Sequence, residues 1–130
     1  MHFQVQIGAV MNEALKQELI TWGIDWPDVS ARFLGNEDLV IKFMMKFLND
    51  KSMEELTEYL AAGDAENAFK AIHTLKGVSG NLSMKAIHDD VWSLTEILRA
   101  GSLDGAQEKY DRIKVKYDDL IRILRKYQDQ

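Results

Sequence analysis

The amino-acid sequence predicts an all-α protein, and three observations carry that expectation. One proline and eight glycines among 130 residues leave long uninterrupted stretches. Apolar residues in those stretches recur at spacings of three and four, the period of a helix with one buried side. No segment sustains the alternation of a half-buried strand. Short linkers make consecutive helices antiparallel neighbours. The expected architecture is therefore an antiparallel up-down four-helix bundle with short capping helices at its N-terminus. A chain of this length forms one domain able to bury roughly two thirds of its extended surface. Residues 1–35 are expected to form the caps and 36–128 the bundle.

The first helix, about Ala9–Trp22, carries Met11, Leu15 and Leu19 on a narrow stripe that suits a lid, and stops near Gly23. Asp25-Trp26-Pro27-Asp28 reads as a helix start, with acids where they suit the dipole and a proline whose missing donor would have no partner. Val29, Phe33 and Leu34 are expected to face inward before Gly35 ends this short helix. Asn36 then caps a long helix from Glu37 to about Ala62, with Asn49-Asp50 as the place where it can bend or break. Phe43-Met44-Met45 reads as core, since methionine fills irregular gaps. Gly63 supplies a stop, and Asp64 opens the next helix with Glu66 just behind it. After a turn at 81–83, a helix to about Ala100 places Ile87, Val91, Leu94 and Leu98 on one stripe. The last helix, about Leu103–Gln128, has the cleanest pattern, with Ala106, Tyr110, Ile113, Tyr117, Leu120, Leu124 and Tyr127 alternating spacings of four and three. Trp22, Trp26 and Trp92 are expected to be packing residues.

Sixteen basic against 21 acidic residues give a formal charge of −5, which repels a phosphate backbone and excludes nucleic acid as an expected partner. The absence of cysteine removes disulfides and thiolate metal sites. His88 stands beside Asp89 and Asp90, but adjacent helical residues diverge by about 100°, so this trio reads as a solvated face and no metal site is expected. The N-terminus has no basic segment followed by an apolar core, and no ~18 apolar residues run together. A cytoplasmic protein without membrane association is expected, and the ends at Met1 and Gln130 suit a free-standing one.

The chemistry concentrates in residues 64–83. If this stretch is helical, Ala68, Ala71, Ile72, Leu75, Ser79 and Leu82 share one side and His73 points the other way, exposed. Lys76, Gly77 and Gly80 follow at i+3, i+4 and i+7, on the His73 face. Two helical glycines cost roughly 0.5–1 kcal/mol each relative to alanine, so their presence on this face needs a local reason: another surface can come close to the imidazole. Lys76 can swing its ammonium over an anion attached to the ring, and charge-assisted bonds to phosphate oxygens are strong. A neutral imidazole keeps one nitrogen lone pair free as a nucleophile while the other nitrogen holds the proton. Phe69, one turn before His73, and Met84, if the helix continued, could form an apolar docking rim.

His73-Thr74-Leu75-Lys76-Gly77-Val78-Ser79-Gly80-Asn81-Leu82 resembles the signature of histidine phosphotransfer (HPt) domains. Gly23-Ile24-Asp25 and Ala31–Leu39 are similar to the opening helix and turn of bacterial members, so the resemblance spans about residues 23–125. It implies a phosphorelay intermediate, not an autonomous enzyme: His73 as phosphoacceptor, Lys76 stabilising the phosphate, and Gly77 with Gly80 giving room to a docking receiver. It further implies response-regulator receiver domains as partners, with a hybrid sensor kinase as another candidate. Magnesium would belong to the receiver, and no cofactor to this chain, which is expected to be a monomer. One departure is Ser83, where the family usually has glycine; serine there could cap the following helix. The competing expectation is a helical scaffold or inhibitor that binds a receiver or kinase without carrying phosphate.

Overall fold

The computed structural model describes residues 2–128, with side chains described from residue 11 onward; positions 1, 129 and 130 of the expected domain lie outside the described residues. The elements are α1 (His2–Trp22), α2 (Trp26–Arg32), α3 (Glu37–Lys46), a 3-10 turn (Phe47–Asn49), α4 (Ser52–Ala61), α5 (Ala65–Asn81), α6 (Lys85–Arg99) and α7 (Ala106–Tyr127). Among the described residues the extended backbone makes one isolated bridge, Ile24 to Met84. The protein is all-helical.

Side-chain caps set several helix starts. Asp25 accepts from the Asp28 N–H at 3.2 Å, Asn36 from Leu39 at 3.0 Å and Asp64 from Asn67 at 3.0 Å, each satisfying a donor that the first turn leaves without a partner. The expected long helix from Glu37 to Ala62 is two helices. Asp50 turns extended, and its carboxylate accepts from both the N–H and the hydroxyl of Ser52. A side-chain acceptor next to the backbone competes with helical pairing, and α4 starts afresh from it.

α5 packs between α4 and α6, α6 packs on α7, and α1 lies against α7. The narrow stripe of α1 predicts a lid, and the helix is instead longer, starting at His2, and runs along α7. Leu15 and Leu19 are buried. The Trp22 indole donates to the Lys116 carbonyl at 2.8 Å, while Lys126, 2.7 Å away, and Tyr127 donate to Glu18. Leu34, expected inside, is 95% exposed. α2 ends at Arg32, and the chain reverses with Leu34 at φ 55°, which carries its side chain away from the core.

The segment after α1 is clamped to the turn between α5 and α6. Asp25 N–H donates to the Ser83 carbonyl at 2.9 Å, and Ala86 N–H to the Gly23 carbonyl at 3.2 Å. Gly23 sits at φ 130°, and a Cβ there would come within 2.5 Å of the Ala86 Cβ, so only glycine allows this approach. Ser83 does not cap α6 as expected; the N-cap position belongs to Met84, which makes no side-chain bond there. Ser83 instead takes the left-handed backbone at φ 53° that glycine usually fills. Its hydroxyl donates to Asp28 at 2.6 Å. That bond, and secondarily the Arg32 guanidinium, hold the Asp28 carboxyl below the usual aspartate range.

Candidate functional site

Burial fixes the roll of α5. Ala68, Ala71, Ile72, Leu75 and Ser79 are buried against neighbouring helices, which turns the opposite side of the cylinder outward. His73 and Gly77 are exposed there, and Lys76 and Gly80 are half-buried. The helix supports His73 from below, since its apolar stripe belongs to the continuous core formed among the described residues.

The two glycines answer a specific question of space. A Cβ built on Gly77 or Gly80 would meet no atom of another part of the chain within 4 Å. Neither glycine is therefore required by packing inside the protein, unlike Gly23. Their helical cost, roughly 0.5–1 kcal/mol each relative to alanine, has no return in the isolated chain. What they leave is a flat strip of backbone beside the imidazole.

Around His73 the side chains form two rungs that bridge α5 and α6. In the first, Phe69 stacks against His73 with ring centroids 5.7 Å apart and planes 27° from parallel, and the Arg99 guanidinium lies 5.0 Å from the Phe69 centroid. In the second, the Lys76 ammonium lies 3.7 Å from the Trp92 centroid. A step of seven residues forward on α5 matches seven backward on α6, so the two helices run antiparallel here. His73 belongs to the first rung and Lys76, three residues further along α5, to the second, so each rung carries a cation although the chain as a whole is acidic. Such contacts are worth about 0.5–1 kcal/mol at exposed sites.

Besides Leu34, the sequence misplaces Phe43, expected in the core and 40% exposed, and two residues near this site. Met84 is 2% exposed and belongs to the core. The helix does not continue to it: α5 ends at Asn81, Leu82 caps it, and the left-handed Ser83 turns the chain so that Met84 faces inward. It forms no docking rim. Trp92, expected to be a packing residue, is 49% exposed. It lies next to Val91 but off the buried stripe of Ile87, Val91, Leu94 and Leu98. Trp26 is buried and Trp22 half-buried. Sequence reasoning missed both α6 partners of the site, Trp92 and Arg99. The signal for Trp92 was its place outside the stripe; nothing local marks Arg99.

His88 is exposed, with its Nδ1 3.2 Å from Asp89 and its ring stacked at 5.9 Å on Trp92. Asp90 turns instead toward α7, where Lys109 and Arg112 lie 3.9 and 3.6 Å away. No group of three or more His, Cys, Asp or Glu among the described residues is arranged to hold a metal ion. No helix among them is long and apolar enough to cross a membrane. A separate groove of about 820 Å³, lined by Phe33, Phe43, Phe47, Val78 and Leu82 among others, does not include His73.

Chemically, the site offers an exposed imidazole stacked on Phe69, with the Lys76 ammonium and the Arg99 guanidinium on the same pair of helices. A family model described as Hpt domain matches residues 47–123, more than half of the chain. No curated protein and no solved structure matches.

Proposed function

This chain belongs to the Hpt domain family, and from that premise we propose that it carries a phosphoryl group on His73 between receiver domains. Hpt domains take part in two-component phosphorelays, interacting with receiver domains and kinases as carriers rather than catalysts of turnover. In our reading a lone pair of the His73 ring attacks the phosphorus of a receiver aspartyl phosphate. The N–P bond forms as the P–O bond breaks, and the aspartate leaves as a carboxylate with the electron pair. The other ring nitrogen keeps its proton through the attack. The reverse sequence passes the group to another receiver aspartate.

Lys76 is the residue we assign to the phosphoryl oxygens. Gly77 and Gly80 admit the receiver backbone, and Phe69 borders the docking face. Reacting atoms must meet in line at about 3–3.5 Å, which a nucleophile on a packed helix helps to secure. We assign no cofactor to this chain and expect magnesium in the receiver. The reading takes residues 36–128 as the up-down bundle, its first member interrupted at Asp50, with 1–35 as the accessory N-terminal part of a single domain. It takes the protein to be a cytoplasmic monomer whose receiver contacts are transient and small.

The observation that carries this reading is the pair of helical glycines beside an exposed imidazole with nothing of the chain's own to fill the space. The test is a two-step transfer. Label on a phosphorylated receiver domain is expected to move to this protein in acid-labile, base-stable form, and then to a second, unlabelled receiver. Label that never leaves the first receiver, or reaches the second equally fast without this protein, would contradict it.

A further inference from the structure

Resting on the reading that His73 is phosphorylated, we propose that Trp92 is a positioning residue for Lys76. Its ring holds the ammonium beside His73 in the unphosphorylated protein and releases it to the phosphoryl oxygens when the imidazole is phosphorylated.

The Lys76 ammonium makes no ion pair with a described residue and rests over the Trp92 ring, 3.7 Å from Nζ to centroid. A lysine loses much rotamer freedom on being held in one place, so an ammonium this well centred implies a real attraction. The indole is the best of the aromatic faces for that purpose. Trp92 is also hard to explain as core: half its surface is open, and its α6 neighbours on the buried stripe are fully covered. His88 stacks on the same ring at 5.9 Å and limits its motion. The platform sits on α6 while the lysine it holds sits on α5, three residues and so about one turn along the helix from His73, and the contact bridges the two helices.

Phosphorylation changes the balance. A phosphoryl group brings up to about two negative charges and several strong acceptors, and a charge-assisted bond to it exceeds the attraction of an exposed ring. The cation–π contact is then present only in the resting protein. Removing the ring must therefore favour the phosphorylated state, by the same factor that the contact favours the resting one. For an exposed contact that factor is about two- to five-fold.

The experiment uses the full chain with labelled lysines, phosphorylated by phosphoramidate, whose N–P bond breaks with loss of ammonia as the His73 N–P bond forms. NMR follows phosphohistidine by its phosphorus signal and Lys76 by its ε-methylene. Before phosphorylation the ε-methylene is expected upfield of its ordinary position, shifted by the indole ring current; afterwards it returns to that position. Trp92→Leu is expected to abolish the upfield shift and to raise the ratio of phosphorylated to free protein, at equilibrium with phosphoramidate and ammonia, about two- to five-fold. Trp92→Phe keeps a weaker face and gives a smaller change. On a Lys76→Met background Trp92→Leu adds nothing. Phosphohistidine forming while the Lys76 signal stays upfield, or an equal Trp92→Leu effect without the lysine, overturns this inference alone. Failure of any phosphohistidine to form overturns the underlying reading and this one with it.

Discussion

Gly23 and Ala86 lie so close that a single methyl on the glycine would sit 2.5 Å from the alanine Cβ. This contact lets the end of α1 pair with the start of α6 through the Gly23 carbonyl and the Ala86 N–H, and so ties the N-terminal helices to the turn that follows the His73 helix. Gly23→Ala combines a clash with a backbone angle that side chains rarely adopt. It is expected to destabilise by more than about 2 kcal/mol, read as a shift in the denaturant midpoint.

Gly77 and Gly80 are expected to behave in the opposite way. Both are helical, and an added Cβ meets open space, so alanine at either position should stabilise the free protein by roughly 0.5–1 kcal/mol. The same variants should slow transfer from a phosphorylated receiver, because in the proposed reading the methyl stands where the receiver backbone docks. Higher stability with slower transfer is the expected pair of results. A loss of stability would mean that the glycines serve the fold.

The contrast between these glycines shows what could be read from the chain and what could not. The spacing of Ala68, Ala71, Ile72 and Leu75 sufficed to place His73, Lys76, Gly77 and Gly80 on one outward face, because helical geometry is local. Met84 and Leu34 were misjudged for a single reason: each follows a left-handed residue or occupies one, and hydrophobic letters do not reveal where a chain reverses. Ser83 is the sharper instance, since serine rarely takes the conformation it holds here and is kept there by Asp28, far away in sequence. Trp92 stood outside its helix's buried stripe and could have been read as exposed. Its pairing with Lys76 depends on the register of α5 against α6, which no local pattern encodes. The break at Asp50 was legible as a weak point in a long helix, though not as a complete stop.

The N-terminal helices should be sensitive to acid. Hydrogen bonds from Lys126 and then Tyr127 hold the Glu18 carboxyl below its ordinary range, and those from Lys16 and then Trp26 do the same for Glu37. A carboxyl whose folded pKa is depressed adds stability above the unfolded value, near ~4.3 for glutamate, and that stability is lost as pH falls through the folded value. Thermal melts of the wild type are expected to hold level at mild pH and to drop below that point. Glu18→Gln with Glu37→Gln should melt lower at neutral pH and lose less on acidification.

Lys76 tests the site without testing the fold. Its side chain is half-buried and its ammonium rests on an exposed ring, so Lys76→Ala should leave the melting curve within about 1 kcal/mol of wild type. Transfer from the receiver should become slower, and the phosphohistidine shorter-lived. An unchanged rate would remove the lysine from the mechanism.

The central claim concerns which atom carries the group, and the chain offers three candidates: His2, His73 and His88. The most direct measurement exposes a set of variants to a phosphorylated receiver domain and counts base-stable label on each. His2→Gln with His88→Gln is expected to take up label like the wild type, and His73→Gln alone to take up none while keeping its circular dichroism and melting temperature. Label persisting on a folded His73→Gln protein would contradict the account.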